Sequence, residues 1–171
     1  MKLMKLSNFF ALFSLLLSGN ATAGDFQKRL EAYQRGDYEI AFEEWTAVAE
    51  NGDGAAQYNL GNMFRNGEGV SRDYAVAAVW YARSADQGVP QAQFNLGVMY
   101  RMGEGVPQDF AKAIYLYGLA AEQRHLGAKT NLGFMYEQGK GVKKDYEIAA
   151  RWYLSAAEEG GVRAQYNLGE L

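Results

Sequence analysis

The chain of 171 residues contains no cysteine and a single histidine, His125. The missing cysteine excludes disulfides and thiolate ligands for zinc, so side-chain packing alone must hold the folded chain together. We interpret His125 as an exposed loop residue, because neither a nucleophile nor residues at metal-ligand spacing lie near it in the sequence. We therefore expect no metal site, no bound cofactor and no catalytic residues.

Positive charge is also scarce. The chain has 17 Lys and Arg against 20 Asp and Glu, for a net charge of −3 at pH 7. Nucleic acids and anionic lipid surfaces both recruit proteins through basic patches. The acidic balance therefore argues against nucleic acid as a partner and against electrostatic binding to a membrane.

The N-terminus has the pattern of a secretory signal peptide. Two lysines within residues 1–5 precede the apolar run Phe9–Leu17, and Ala21-Thr22-Ala23 provides small residues for cleavage after Ala23. The apolar run is too short for a bilayer, which requires ~20 residues, although an uncleaved anchor helix is the alternative. We expect an exported protein without stable membrane insertion after cleavage, most simply periplasmic, with a secreted or cell-surface location as the second choice.

A repeat with a period of 36 residues dominates the rest of the chain. The block Ala-Gln-Tyr-Asn-Leu-Gly at Ala56–Gly61 recurs with small changes at residues 92–97, 128–133 and 164–169. Such a period is typical of a solenoid of stacked repeats. Within one unit, apolar residues at helical spacing precede a loop containing Gly67 and Gly69, and a second helix then starts at Asp73 and stops at Gly88. The unit is predicted to be a helix hairpin, and the fold class all-α.

The repeat divides the chain into segments. We predict the following: 1–23 signal peptide, 24–55 N-terminal capping hairpin, 56–91, 92–127 and 128–163 full repeats, and 164–171 a partial repeat. The last segment is either a C-terminal cap or the start of further repeats that are absent.

Two residue types recur inside the predicted first helices, where neither is favoured. Glycine costs about 1 kcal/mol relative to alanine there, which indicates close approach of the partner helix. An asparagine buried mid-helix must be hydrogen-bonded, and we expect its amide to bond to backbone groups of the neighbouring turn. The positions are Gly61, Gly97, Gly133 and Gly169, and Asn59, Asn95, Asn131 and Asn167.

No motif for catalysis stands out. The recurring Gly-x-Gly loops follow helices, whereas nucleotide-binding glycine motifs follow strands, so we interpret the loops as turns. The adjacent acids Glu43-Glu44 and Glu158-Glu159 point about 100° apart on a helix and do not converge as an acid/base pair. We expect them to be solvated helix surface.

Together these residues identify a known repeat. The pattern Ala-x-x-Asn-Leu-Gly-x-Met-Tyr/Phe, then Gly-x-Gly-Val, then Asp-Tyr/Phe-x-x-Ala resembles the Sel1-like repeat over residues 36–171, and the first unit looks like a tetratricopeptide hairpin. The resemblance implies an α-solenoid, a right-handed superhelix of antiparallel hairpins whose concave face is built from the first helices. It also implies an adaptor role. A cysteine-rich branch of the family is linked to penicillin binding and β-lactam hydrolysis, and the missing cysteines argue against that activity here.

Positions that differ between repeats are candidates for partner recognition, because constant positions serve the stack. The variable positions share one face of each first helix, being spaced four, three and one apart. They form this candidate partner-binding set: Tyr58, Asn62, Arg65, Asn66, Phe94, Val98, Arg101, Met102, Thr130, Phe134, Glu137 and Gln138. In the alternative interpretation the aromatic members pack between hairpins and the arginines are solvated.

The sequence therefore predicts an exported, non-enzymatic scaffold that binds a peptide or helix of another protein on the concave face. Two alternatives stay open. One is a cell-envelope hydrolase of the type linked to the cysteine-rich relatives, and the other is a permanent structural subunit of an envelope machine.

Overall fold

The computed structural model describes residues 29–31 and 33–171. The predicted signal peptide and its cleavage site lie outside the described residues. Within them the chain forms helices and no strands, which confirms the all-α class. Residues 29–31 and 33–35 are helical, and the helices that follow are α1 (Tyr38–Glu50), α2 (Gly54–Asn66), α3 (Tyr74–Asp86), α4 (Pro90–Met102), α5 (Phe110–Glu122), α6 (Leu126–Gln138), α7 (Tyr146–Glu158) and α8 (Val162–Glu170).

Each helix packs against the helices before and after it in the chain, which makes the structure an α-solenoid. We call α2, α4, α6 and α8 the first helices and α1, α3, α5 and α7 the second helices. The core is a series of small clusters, each formed mainly between a second helix and the first helix that follows it. Successive hairpins are therefore held together by apolar contacts.

The predicted starts and ends of the helices are confirmed. Asp73 and its counterparts Asp109 and Asp145 are N-caps whose carboxylates accept backbone N–H groups of the first turn. The first helices α2, α4 and α6 end at glycines in the left-handed conformation, such as Gly67 with φ of 79°. Local sequence chemistry thus fixes both sides of the turn within the hairpins α2–α3, α4–α5 and α6–α7.

The glycines inside the first helices do mark close approach, as predicted. A Cβ added at Gly61 would lie 2.5 Å from the ring of Tyr81, and one at Gly97 would lie 2.7 Å from the ring of Tyr117. The atoms that approach are tyrosine rings of the second helix in the same hairpin. Gly169 in α8 has nothing within 4 Å of that position among the described residues.

A second glycine in each loop joins neighbouring repeats. Gly105 has φ of 71°, and an added Cβ would overlap with the carbonyl group of Tyr74 at the start of the preceding second helix. Gly69 and Gly141 meet the starts of α1 and α5 in the same way. The Gly-x-Gly loop is therefore a turn, and it is also a contact between repeats.

His125 is not an exposed loop residue, so that prediction was wrong. It is half-buried at the N-cap of α6, where its Nδ1 accepts the Ala128 backbone N–H at 3.1 Å. Its ring stacks on Phe94 of α4, with the ring centroids 4.5 Å apart. Burial lowers the pKa of the His125 ring. The neutral form, which can accept at Nδ1, is therefore the one the fold favours.

Candidate partner-binding surface

One tyrosine of each repeat connects the core to the first helices. Tyr81, Tyr117 and Tyr153 lie 36 residues apart on the second helices and are fully buried over the helix glycines. The hydroxyl of Tyr81 donates to Asn62 Oδ1 at 2.6 Å. The equivalent hydroxyls bond to charged residues of the candidate set, which places those charges at equivalent points along the stack.

The charged partners differ in sign. The hydroxyl of Tyr117 accepts from Arg101 Nε at 3.3 Å, whereas the hydroxyl of Tyr153 donates to Glu137 Oε2 at 2.6 Å. Burial raises the pKa of Tyr81, and the positive charge of neighbouring Arg65 opposes this effect; the resulting pKa is about 12. Burial also raises the pKa of Tyr153, and Glu137 raises it further. The hydroxyls therefore stay protonated at neutral pH and act as fixed donors or acceptors.

Among the described residues, Asn95, Asn131 and Asn167 bond to side chains and not to backbone groups, so that prediction was wrong for them. Asn95 donates its amide to Asn62 Oδ1 at 3.4 Å and also reaches the Tyr81 hydroxyl. Asn131 and Asn167 reach the hydroxyls of the preceding repeats, Tyr117 and Tyr153, in the same way. Each tyrosine hydroxyl thus lies at the junction of two repeats.

The two candidate arginines form no ion pair within residues 29–31 and 33–171. Arg65 and Arg101 occupy equivalent positions on α2 and α4, and both are half-buried. In the described part of the chain neither guanidinium forms an ion pair with a carboxylate. Two partly desolvated cations held near tyrosine hydroxyls are available to bind carboxylates from outside.

Thr130 is the one candidate that the structure removes from the surface. It is only 6% exposed, and its hydroxyl donates to the Leu126 carbonyl within α6 at 2.9 Å. It therefore cannot contact a partner. The other candidates are exposed (Asn66, Met102, Gln138) or half-buried (Tyr58, Asn62, Arg65, Phe94, Val98, Arg101, Phe134, Glu137).

The aromatic candidates mainly pack between hairpins, as in the alternative interpretation. Tyr58 and Phe94 pack against the clusters at α3–α4 and α5–α6 that join successive hairpins. Their rings also lie 6.0 Å and 5.9 Å from those of Tyr81 and Tyr117 in their own hairpins. Phe134 packs against the cluster between α5 and α6. Because each is half-buried, only an outer edge faces solvent. We call the eleven candidates without Thr130 the first-helix surface.

A polar ladder that sequence analysis missed runs across the repeats. In α2, Gln57 donates to the Ala49 carbonyl at 3.0 Å and accepts from Gln87 at 2.7 Å, and Gln93 and Gln123 repeat the pair. In the third repeat Lys129 and Glu159 replace the two glutamines. The signal was present in the sequence, since both members change together at the 36-residue period.

Glu159 is therefore not simply solvated surface, and that part of the prediction was wrong. Its carboxylate accepts from Lys129 Nζ at 2.9 Å and pairs with Arg124 at 3.4 Å. The hydrogen bond from Lys129 lowers the pKa of Glu159.

Lys129 also contacts a potential nucleophile. Its Nζ lies 3.0 Å from Ser155 Oγ. A serine–lysine catalytic pair needs a neutral amine to accept the serine proton. Lys129 instead forms an ion pair with Glu159 at 2.9 Å, so this contact fits a structural role.

Two further features of the described residues bear on function. Among residues 29–31 and 33–171, no group of three or more His, Cys, Asp or Glu side chains is placed to hold a metal ion. In the same part of the chain, none of the helices combines the length and the apolar character needed to cross a bilayer.

Comparison with known proteins identifies the repeat. The family model described as Sel1 repeat matches residues 54–89, 90–125, 127–161 and 162–171. A comparison with curated proteins gave no significant match.

Solved structures with the same fold include close relatives. A Sel1 repeat protein from Oxalobacter formigenes is 34% identical, with a TM-score of 0.79, over 86% of this chain and 59% of that protein. The protein c5321, a protective antigen present in uropathogenic Escherichia coli strains, is 38% identical with a TM-score of 0.82, over 99% of this chain and 36% of that protein. The Helicobacter pylori cysteine rich protein B shares the fold at 22% identity and a TM-score of 0.55, over 88% of this chain and 100% of that protein. The chain thus spans less than two thirds of the first two relatives.

Proposed function

The chain belongs to the Sel1 repeat family, and we propose that it is an exported scaffold without enzymatic activity that binds a segment of another protein on the first-helix surface. Sel1 repeats typically mediate protein–protein interaction, and Sel1 repeat proteins are generally non-catalytic. The finer parts of the proposal concern export, the binding face and the chemistry of the bound segment.

The observation that carries the proposal is the pair Arg65 and Arg101. Both are half-buried near tyrosine hydroxyls and lack a carboxylate partner in the described part of the chain. A partly desolvated cation without a counter-charge gains most from a carboxylate supplied by a partner. Met102, 51% exposed on the same face, offers the adaptable apolar contact that is common at interfaces.

Export is supported by the signal-like N-terminus and by one relative. The protein c5321 is a protective antigen, which is consistent with export of this type of repeat protein. Expression of the full chain in a Gram-negative host, with mass measurement of the periplasmic fraction, tests this part. We expect a mature N-terminus at Gly24, and Ala21→Asp with Ala23→Asp should block processing. A product that keeps residues 1–23 in the cytoplasm contradicts export.

The binding face is tested by photocrosslinking. A benzophenone amino acid is placed at Met102 on the first-helix surface or at Leu154 on α7, which has similar exposure at 48%. We expect a defined protein adduct in cells from position 102 and not from position 154. An adduct that forms only from position 154 would place the partner on the second helices and overturn the proposal.

Permanence of the complex separates an adaptor from a structural subunit. Both use the same first-helix surface, and they differ in the lifetime of the complex. We expect the crosslinked partner to be lost during purification without crosslinking. Co-purification in stoichiometric amount would instead assign the protein to a stable assembly.

A further inference from the structure

The third repeat inverts the charge of the first-helix surface. The position held by Arg65 in α2 and Arg101 in α4 is occupied by Glu137 in α6. Three residues later the inversion is repeated, because Glu68 and Glu104 correspond to a lysine, Lys140. We call Arg65, Arg101 and Glu137 the charged row. From α2 to α6 its charges are positive, positive and negative.

Internal ion pairing does not explain this inversion. In the described residues no ion pair joins Arg65 to Glu68 or Glu137 to Lys140. The ammonium of Lys140 instead lies over the ring of Phe134, 5.3 Å from its centroid. The exchange of signs therefore does not preserve an ion pair among the described residues.

The buried Tyr81, Tyr117 and Tyr153, which we call the tyrosine row, can bond to a side chain of either charge. A tyrosine hydroxyl can accept from a guanidinium, as Tyr117 does from Arg101, and it can donate to a carboxylate, as Tyr153 does to Glu137. The scaffold holds these residues at equivalent points without dictating their charge. The sign is thus free to be used in recognition of a partner.

We propose, on the basis of the proposed function, that the first-helix surface binds an extended protein segment with a defined charge order. Two acidic residues about three positions apart bind Arg65 and Arg101, and a basic residue about three positions further binds Glu137. Packed helices lie about 8–10 Å apart, which an extended segment in the polyproline II conformation covers in three residues at ~3.1 Å each, with every third side chain on the same face. Glu137 then sets the direction of the bound segment.

The amides of the surface favour an extended segment over a helix. Asn66 and Gln138 are exposed beside the charged row, and Asn62 is half-buried near it. An extended segment leaves its backbone N–H and C=O groups to be bonded, whereas a helix satisfies its own. The NH2 groups of Asn66 and Gln138 donate to Glu68 and Glu137. Their carbonyl oxygens can therefore accept from the backbone N–H groups of an extended segment.

Selection from a phage-displayed library of random dodecapeptides tests the charge order. With the unmodified protein we expect enrichment of two acidic residues three apart, followed three residues later by Lys or Arg. With Glu137→Arg we expect an acidic residue at the third place, and about tenfold weaker binding of the peptides first selected. The variant should fold, because arginine already occupies the equivalent position in two repeats.

The matched control is Glu158→Arg, which makes the same charge change on the exposed end of α7. It should select the same peptides as the unmodified protein. If peptides require Arg65 and Arg101 but Glu137→Arg leaves the third place unchanged, the charge order is wrong and the proposed function stands. If no selected peptide requires the arginines, the result contradicts both the charge order and the proposed function.

Discussion

At the scale of single residues, a comparison of Gly97 with Gly118 measures how strongly the Tyr117 ring of the tyrosine row depends on a glycine beside it. Both lie inside helices, but an added Cβ meets the Tyr117 ring 2.7 Å away at position 97 and nothing within 4 Å at position 118. We expect Gly97→Ala to lower the free energy of unfolding by about 1–3 kcal/mol through overpacking. Gly118→Ala should raise it by up to about 1 kcal/mol through helix propensity. Urea denaturation measures both, and equal effects would contradict the packing role.

The exchange of a glutamine pair for Lys129 and Glu159 is also a residue-scale feature. Lys129→Gln alone leaves Glu159 without its main partner, and Glu159→Gln alone leaves a buried ammonium unpaired, so each should destabilise the protein. The double variant recreates the pair formed by Gln93 and Gln123. We expect it to be more stable than either single variant. A double-mutant cycle by urea denaturation checks this, and strictly additive losses would show that the two side chains do not act as a pair.

At the scale of elements, we expect the stability of the N-terminus of α6 to depend on pH. Burial lowers the pKa of His125, so the unfolded chain takes up the proton first as the pH falls. The stabilisation is complete above the ordinary histidine pKa of about 6.5 and is lost as the pH falls below it. It reaches its minimum once the pH is below the folded-state pKa, where the Nδ1 acceptor for Ala128 is gone. His125→Asn keeps a capping side chain without titrating in this range.

Thermal unfolding between pH 5 and pH 8 measures this dependence. We expect the melting temperature of the unmodified protein to fall more steeply towards pH 5 than that of His125→Asn. Superimposable pH profiles would show that the cap does not depend on the neutral imidazole.

The elements themselves were predictable from the sequence, because their determinants are local. Three features recur at a fixed period: the N-cap Asp73, the loop glycine Gly67 and the apolar spacing within the helices on either side. Each of them acts within one helical turn.

The cap function of His125 was not predicted from the sequence. The equivalent positions in the neighbouring repeats are Val89 and Gly161, which have no capping side chain. Asp53 at the equivalent position of α2 does cap its helix, but histidine is not among the side chains favoured at an N-cap.

At the scale of the whole molecule, the stack was predicted by the repeat, but the details of the surface were not. Thr130 occupies the position in its repeat that half-buried Tyr58 holds two repeats earlier, yet its small side chain lies below the surface. The bonds from Asn95 to Asn62 and the Tyr81 hydroxyl join two repeats, and helical spacing does not specify contacts across such a junction. Which variable residues reach a partner therefore depends on packing between hairpins.

The central claim is that Arg65 and Arg101 bind carboxylates of a partner protein. The most direct test is the affinity, by calorimetry, of the partner crosslinked from position 102 for Arg65→Glu with Arg101→Glu. The matched control reverses Arg83 and Arg151 on the second helices, and both doubles are first shown to be folded by circular dichroism. We predict a loss on the order of a hundredfold for the first double and little change for the second. Equal affinities for the two would contradict the account.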